Sequence, residues 1–159
     1  MAQVVIADAG PLLALAKLDG LHLLEKLFGT VLIPEAVQRE CLAKSGEDSE
    51  RIQQAIDSQQ LHVIPSDAIS SMVLPRSLGD GEKEAICLAI QHEHSLLIVD
   101  DQLARRQAAK LGLTFIGLVR LLAIAEQQGL LDSAEQAVET VRLAGYRVSL
   151  KILRQIRDE

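Results

Sequence analysis

The stretch Gln3-Val-Val-Ile-Ala-Asp-Ala-Gly-Pro11 decides the architecture. Its apolar part is continuous and mostly β-branched, as expected for a parallel strand buried on both faces. Asp8 ends the run, and the sequence predicts a helix through LLALAKL with Pro11 at its first position. A second run of the same kind, Ser95-Leu-Leu-Ile-Val99, ends at Asp100-Asp101. Shorter strands are expected at TVLI, LHVI and LTFI. Between them fall helices through LHLLEKLF (stopped by Gly29), EAVQRECLA, RIQQAIDSQQ, EKEAICLAIQHE and LARRQAAKL (stopped by Gly112). Residues 45–50 and 65–80 read as loops, and three helices follow Leu118, broken near Gly129 and Gly145. Strands alternating with helices predict an α/β fold, a three-layer sandwich around a central parallel sheet.

With 159 residues, the chain is expected to form a single domain over 1–159, with C-terminal helices from about 117. Aromatic residues make up 2% and Trp is absent, which argues against binding single-stranded nucleic acid mainly by stacking on rings. The net charge of −6 is a mild argument against a nucleic-acid partner. It is softened by the local cluster Arg105, Arg106, Lys110 and Arg120, and by the sign reversal a bound cation brings to clustered acids. Cys41 and Cys87 have no metal-ligand spacing and read as buried thiols. The start MAQVVIADAG shows no secretory pattern and no apolar run suits a membrane span, so a cytoplasmic location is expected.

In open parallel sheets ligands bind outside the carboxyl ends of the strands. That rule selects Asp8 and Asp100, which converge only if their strands are neighbours. Each also has a plainer reading. Asp8 can serve a turn or helix start, and either Asp100 or Asp101 can cap the following helix. Assigning the cap to Asp101 leaves Asp100 for a site. Glu82 and Glu84 stand in a first helical turn, where acids are favoured by the dipole alone. They point about 200° apart, so at most one of them faces a shared crevice. Glu40 lies mid-helix and alone would be a solvated charge. Jointly, such acids in one crevice repel each other unless a hard cation is present, and Mg²⁺ or Mn²⁺ suits carboxylate oxygens. His22, His62, His92 and His94 lack ligand spacing.

Five blocks in order carry a resemblance over nearly the whole chain: VVIADAGPLLALAKLDGLHLLEKLF, VLIPEAVQREC, LGDGEKEAICLAIQ, LLIVDDQLARRQAAKLGL and GLVRLLAIAEQQGLL. Together they resemble the PIN-domain family, nearest to its VapC-like toxin branch. The resemblance implies a metal-dependent RNA endonuclease, plausibly the toxin of a toxin–antitoxin pair. It implies Asp8, Glu40, Glu82 and Asp100 as catalytic carboxylates holding Mg²⁺ or Mn²⁺, with Glu84 and Asp101 as lesser candidates. It also implies Arg105 near substrate phosphate, RNA as substrate, an antitoxin partner and a homodimer. Two departures stand out: Ala9 replaces a hydroxyl residue common in relatives, and Glu82 replaces the more usual Asp. They motivate the alternative of a weakly active or inactive binding module working through a protein partner. A phosphotransfer enzyme fits less well, because Gly10 stands where an Asp-nucleophile phosphatase needs a second acid. A dinucleotide fingerprint fails as well, since Glu84 stands where the third glycine after Gly79 and Gly81 belongs.

Overall fold

In the computed structural model, which describes residues 3–159, five strands build one sheet: β1 (Val4–Ala7), β2 (Val31–Pro34), β3 (Leu61–Ile64), β4 (Ser95–Ile98) and β5 (Thr114–Ile116). Every pairing is parallel and the order is β3-β2-β1-β4-β5. Nine helices are present among the described residues: α1 (Ala9–Lys17), α2 (His22–Phe28), α3 (Glu35–Leu42), α4 (Glu47–Asp57), α5 (Asp80–Gln91), α6 (Gln102–Lys110), α7 (Leu118–Gln127), α8 (Ala134–Leu143) and α9 (Leu150–Arg157). None is long and apolar enough to cross a membrane.

Side chains alternate across each strand, so the sheet feeds two cores. Val5, Ala7, Val31, Ile33, Leu96 and Ile98 belong to the larger one, together with residues of α1, α7 and α8. Ile6, Leu97 and Val99 face the other way, against Ile86 and Leu88 of α5 and Ala104 and Ala108 of α6. The result is the expected three-layer α/β/α sandwich. The uninterrupted apolar runs at β1 and β4 follow from this double burial. The same requirement explains how a core forms with few aromatic rings: Leu, Ile, Val and Ala interdigitate on both faces.

Chain order moves one way from β1 through β2 to β3 and then the other way from β4 to β5. The reversal falls between β1 and β4. Their register pairs Ala7 with Ile98, and the Asp8 N–H donates to the Ile98 carbonyl at 3.0 Å. Asp8 and the Asp100–Asp101 pair therefore leave the sheet side by side, at the switch point where such folds place ligands.

Some boundaries differ from the sequence reading. Helix α1 begins at Ala9 with Asp8 as its N-terminal flanking residue, which puts Pro11 at the third helical position. Proline is tolerated there because the first N–H groups of a helix have no intrahelical partner. Helix α4 starts at Glu47, inside the expected loop, with Glu47, Asp48 and Glu50 in its first turn where the helix dipole favours acids. Helix α5 starts at Asp80, two residues early.

Ile98 is fully buried in the larger core, whereas Val73 is 98% exposed in the loop before α5. Ile98→Ala is expected to cost about 2–5 kcal/mol in denaturant unfolding, and Val73→Ala to stay within about 0.5 kcal/mol. Equal losses would contradict the placement of the core.

Candidate active site

Asp8 is only 5% exposed, held at the carboxyl end of the central strand. Its side chain makes no capping hydrogen bond to the first turn beyond the N–H of its neighbour Ala9, and its Oδ1 is buried with no partner. The plainer reading of Asp8 as a helix cap therefore leaves half of the carboxylate unexplained. Gly81 of α5 comes against it: an added Cβ there would lie 3.7 Å from Oδ1 and 3.2 Å from Val37. A side chain here would push the Val37 methyl back by a few tenths of an ångström, so glycine favours the close packing of α5 over the end of β1. Ala9 is completely buried in the larger core, so position 9 is filled as a packing position.

Glu82 and Glu84 separate as the helical geometry demands. The Glu84 Oε1 accepts from the Ala36 N–H at 3.1 Å, which satisfies a free donor at the start of α3. Glu82 turns the other way. Its Oε1 accepts from the Gly79 N–H at 3.0 Å, and its Oε2 is buried without a partner. The Asp101 carboxylate stands beside it, and burial together with that closeness holds the Glu82 pKa above its ordinary value. Glu40 stands exposed on α3, close enough for its charge to act on both Asp8 and Glu82.

Of the two aspartates after β4, Asp101 takes the cap expected of it. Asp101 caps α6, its Oδ2 accepting from the Ala104 N–H at 2.9 Å, and it also meets Glu82. Asp100 points elsewhere. Its Oδ1 accepts from the Leu118 N–H at 3.1 Å and its Oδ2 accepts from the Tyr146 hydroxyl. Its partner Tyr146 was not singled out from sequence. It lies in the turn between α8 and α9, and its hydroxyl approaches Gly10, where an added Cβ would sit 3.1 Å away. Burial, then the negative charge of Asp100, raises the Tyr146 phenol far above its ordinary range, so it stays a hydrogen-bond donor. Gly117 is equally constrained, since a Cβ there would lie 2.5 Å from Asp100 Oδ1 and 2.8 Å from an Arg105 nitrogen. Arg105 lies over the Phe115 ring at 5.3 Å, with its Nε buried and unpartnered.

The electrostatics follow from crowding. Burial, together with the charges of Glu82, Glu40 and Asp101, outweighs the Ala9 hydrogen bond and raises the Asp8 pKa to about 7. Glu82 rises to about 6, through burial and the hydrogen bond and charge of Asp101. Burial also pushes the Cys41 thiol up to about 12, which keeps it a thiol beside the site. Among the described residues no group of three or more His, Cys, Asp or Glu is drawn together into a ready-made metal cage. The two orphaned oxygens, Asp8 Oδ1 and Glu82 Oε2, nevertheless fit a hard cation. Mg²⁺ in particular keeps much of its water and needs only one or two carboxylates.

The pH dependence of stability follows with a definite sign. Below its folded pKa Asp8 stays protonated in the native state, while the unfolded chain releases that proton from about pH 4 upward. The native state then binds more protons, so in chelator this residue lowers stability as pH rises from about 4 to about 7. Asp8→Asn removes the effect, and at pH 8 in chelator it is expected to be more stable than the wild type by about 2–4 kcal/mol. Thermal unfolding of both proteins across pH checks this; parallel profiles would contradict the burial of a strained acid.

The family model DUF3368, described as a PIN domain, matches residues 4–159. No curated protein matches the chain. PIN domains are generally nucleases and generally use divalent metals. The match covers all five strands and all nine helices described above. It includes the strand ends that carry Asp8, Asp100 and Asp101. The chain belongs to the PIN-domain family.

Proposed function

We propose that the protein is a metal-dependent RNA endonuclease, with Asp8, Glu82 and the Asp100–Asp101 pair as its catalytic carboxylates and Glu40 at their edge. The observation that supports this most is the pair of buried, unpartnered carboxylate oxygens on Asp8 and Glu82 at the switch point. Two such oxygens are costly in a fold with no use for them, since buried polar atoms normally find partners. A divalent cation bound there, Mg²⁺ or Mn²⁺, would supply Lewis-acid charge for in-line attack of water on a phosphodiester.

The chain's own residues then have separable tasks. Asp8 is the innermost donor and is held by β1. Glu82 is braced through Gly79 and presents its second oxygen. Asp101 keeps α6 in place and sets its charge beside Glu82. Asp100 orders the start of α7 and the Tyr146 turn, so its place among the carboxylates depends on those two contacts. Glu84 is left as the support of α3.

The branch assignment is also proposed. A VapC-like toxin works in the cytoplasm, pairs as a homodimer and is silenced by a small antitoxin. Crowded carboxylates with raised pKa values suit a basic antitoxin side chain.

The test is cleavage of a structured RNA by the purified chain with Mn²⁺, and with chelator. Cleavage is expected with the metal only. Asp8→Asn and Glu82→Gln are expected to lose at least about 100-fold, more than outer-shell partners of a metal commonly cost. Glu84→Gln keeps the acceptor oxygen for Ala36 and should cleave like wild type. Metal-independent cleavage, or full activity in Asp8→Asn, would sink the reading. A folded chain that neither cleaves nor binds Mn²⁺ would instead favour the binding module.

A further inference from the structure

Asp100 lies beside a guanidinium and does not pair with it. Atoms of both groups flank Gly117, where an added Cβ would lie 2.5 Å from Asp100 Oδ1 and 2.8 Å from an Arg105 nitrogen. Among the described residues no ion pair joins them. An arginine and an aspartate this near normally close into a charge-assisted pair, because such bonds are the strong ones. Here each group is held by something else. Arg105 lies over the Phe115 ring at 5.3 Å. Asp100 accepts from the Leu118 N–H at 3.1 Å through Oδ1 and from the Tyr146 hydroxyl through Oδ2.

The backbone delivers that hydroxyl. Helix α8 ends at Leu143, and Gly145 turns the chain with a φ of +98°, a region that favours glycine. The Tyr146 N–H then donates to the Val141 carbonyl at 3.0 Å, and the Tyr146 carbonyl accepts from the Val148 N–H at 3.0 Å. On the opposite side Gly10 leaves room, since an added Cβ would sit 3.1 Å from the phenol oxygen. The hydroxyl is thus set between the C-terminal turn and the start of α1, on the side of the sheet end that carries Asp8 and Asp100.

We propose, resting on the metal-dependent reading above, that Tyr146 is a positioning residue: its hydroxyl withholds Asp100 from Arg105 and so keeps it an unpaired anion for a cation at the crevice. The kind of donor decides the outcome. A phenol is neutral at neutral pH, so it fixes the carboxylate and leaves its charge intact, whereas a guanidinium would cancel it. Each carboxylate oxygen has a second lone pair, so one hydrogen bond to each still leaves Asp100 able to ligate. Without the hydroxyl, Oδ2 loses its partner and the nearest strong donor is Arg105. Gly10 acquires a role on the same account, as the position that admits the phenol.

Tyr146→Phe removes the hydroxyl alone. Mn²⁺ binding to the full chain, without RNA, is measured by titration calorimetry in the wild type, Tyr146→Phe, Arg105→Gln and the double variant. Tyr146→Phe is expected to weaken Mn²⁺ binding about 10–100-fold, the usual cost of losing a partner that orients a metal ligand. Arg105→Gln should recover most of that loss in the Tyr146→Phe background, and far more than it gains in the wild type, a coupling that packing alone does not produce. The chain has one tyrosine and no Trp, so wild-type absorption near 280 nm follows this ring, and Mn²⁺ should shift it with the calorimetric midpoint. Should Tyr146→Phe not fold, that wild-type titration decides. Unchanged affinity in Tyr146→Phe, a loss that Arg105→Gln does not reverse, or Mn²⁺ binding without a tyrosine shift each overturns the positioning role and leaves the metal-dependent reading standing. A folded wild type that binds no Mn²⁺ removes both.

Discussion

Burying a carboxylate at the edge of a parallel sheet is unfavourable, and much of the arrangement at the switch point is organised around that fact at Asp8. The backbone leaves little choice of position: β1 is central, its register with β4 is set by four residue pairs, and Asp8 follows directly. Gly81 lets α5 close over the acid, and the neighbouring acids add charge instead of relieving it. An isolated buried charge in such surroundings normally shifts its pKa and neutralises itself. The proton retained on Asp8 at mildly acid pH and the raised pKa of Glu82 are that relief.

The second organising contact runs from Asp100 to the C-terminal segment. Its two oxygens are divided between the Leu118 N–H and the Tyr146 hydroxyl, which ties the start of α7 to the turn after α8. Further out, α9 rests on α7 through Arg120–Glu159 and Arg157–Glu126. Those pairs are largely solvent-exposed, and such pairs contribute about 0–1 kcal/mol each. The buried Leu153 and the Tyr146 hydrogen bond hold the segment more firmly. Gly117 is the steric condition for this junction, because any side chain there would overlap Asp100 and Arg105.

Much of the fold was legible in the chain because apolar runs at β1 and β4 have few other uses. The helix stops at Gly29 and Gly112 are marked by residues that reach positive φ without strain. Boundaries were less legible where local signals compete. Polar residues 47–50 read as loop, yet acids in a first turn are favoured by the helix dipole, and α4 begins there. The separation of Glu82 from Glu84 was foreseeable from helical periodicity, but which one faces the crevice was not, since that depends on how α5 is rotated against β1 and α3.

By itself the sequence determined that Asp8 and an aspartate after SLLIV would end buried strands, because only apolar runs of that length survive burial on both faces. It also determined that one of the two aspartates would cap α6, because a helix start has free N–H groups to satisfy. Tertiary structure alone decided the rest. It made β1 and β4 neighbours, turned Asp101 toward Glu82 and Asp100 toward Tyr146, and brought a tyrosine 46 residues away into the site. Those outcomes rest on packing angles and on contacts between distant segments, which local propensity and periodicity do not encode.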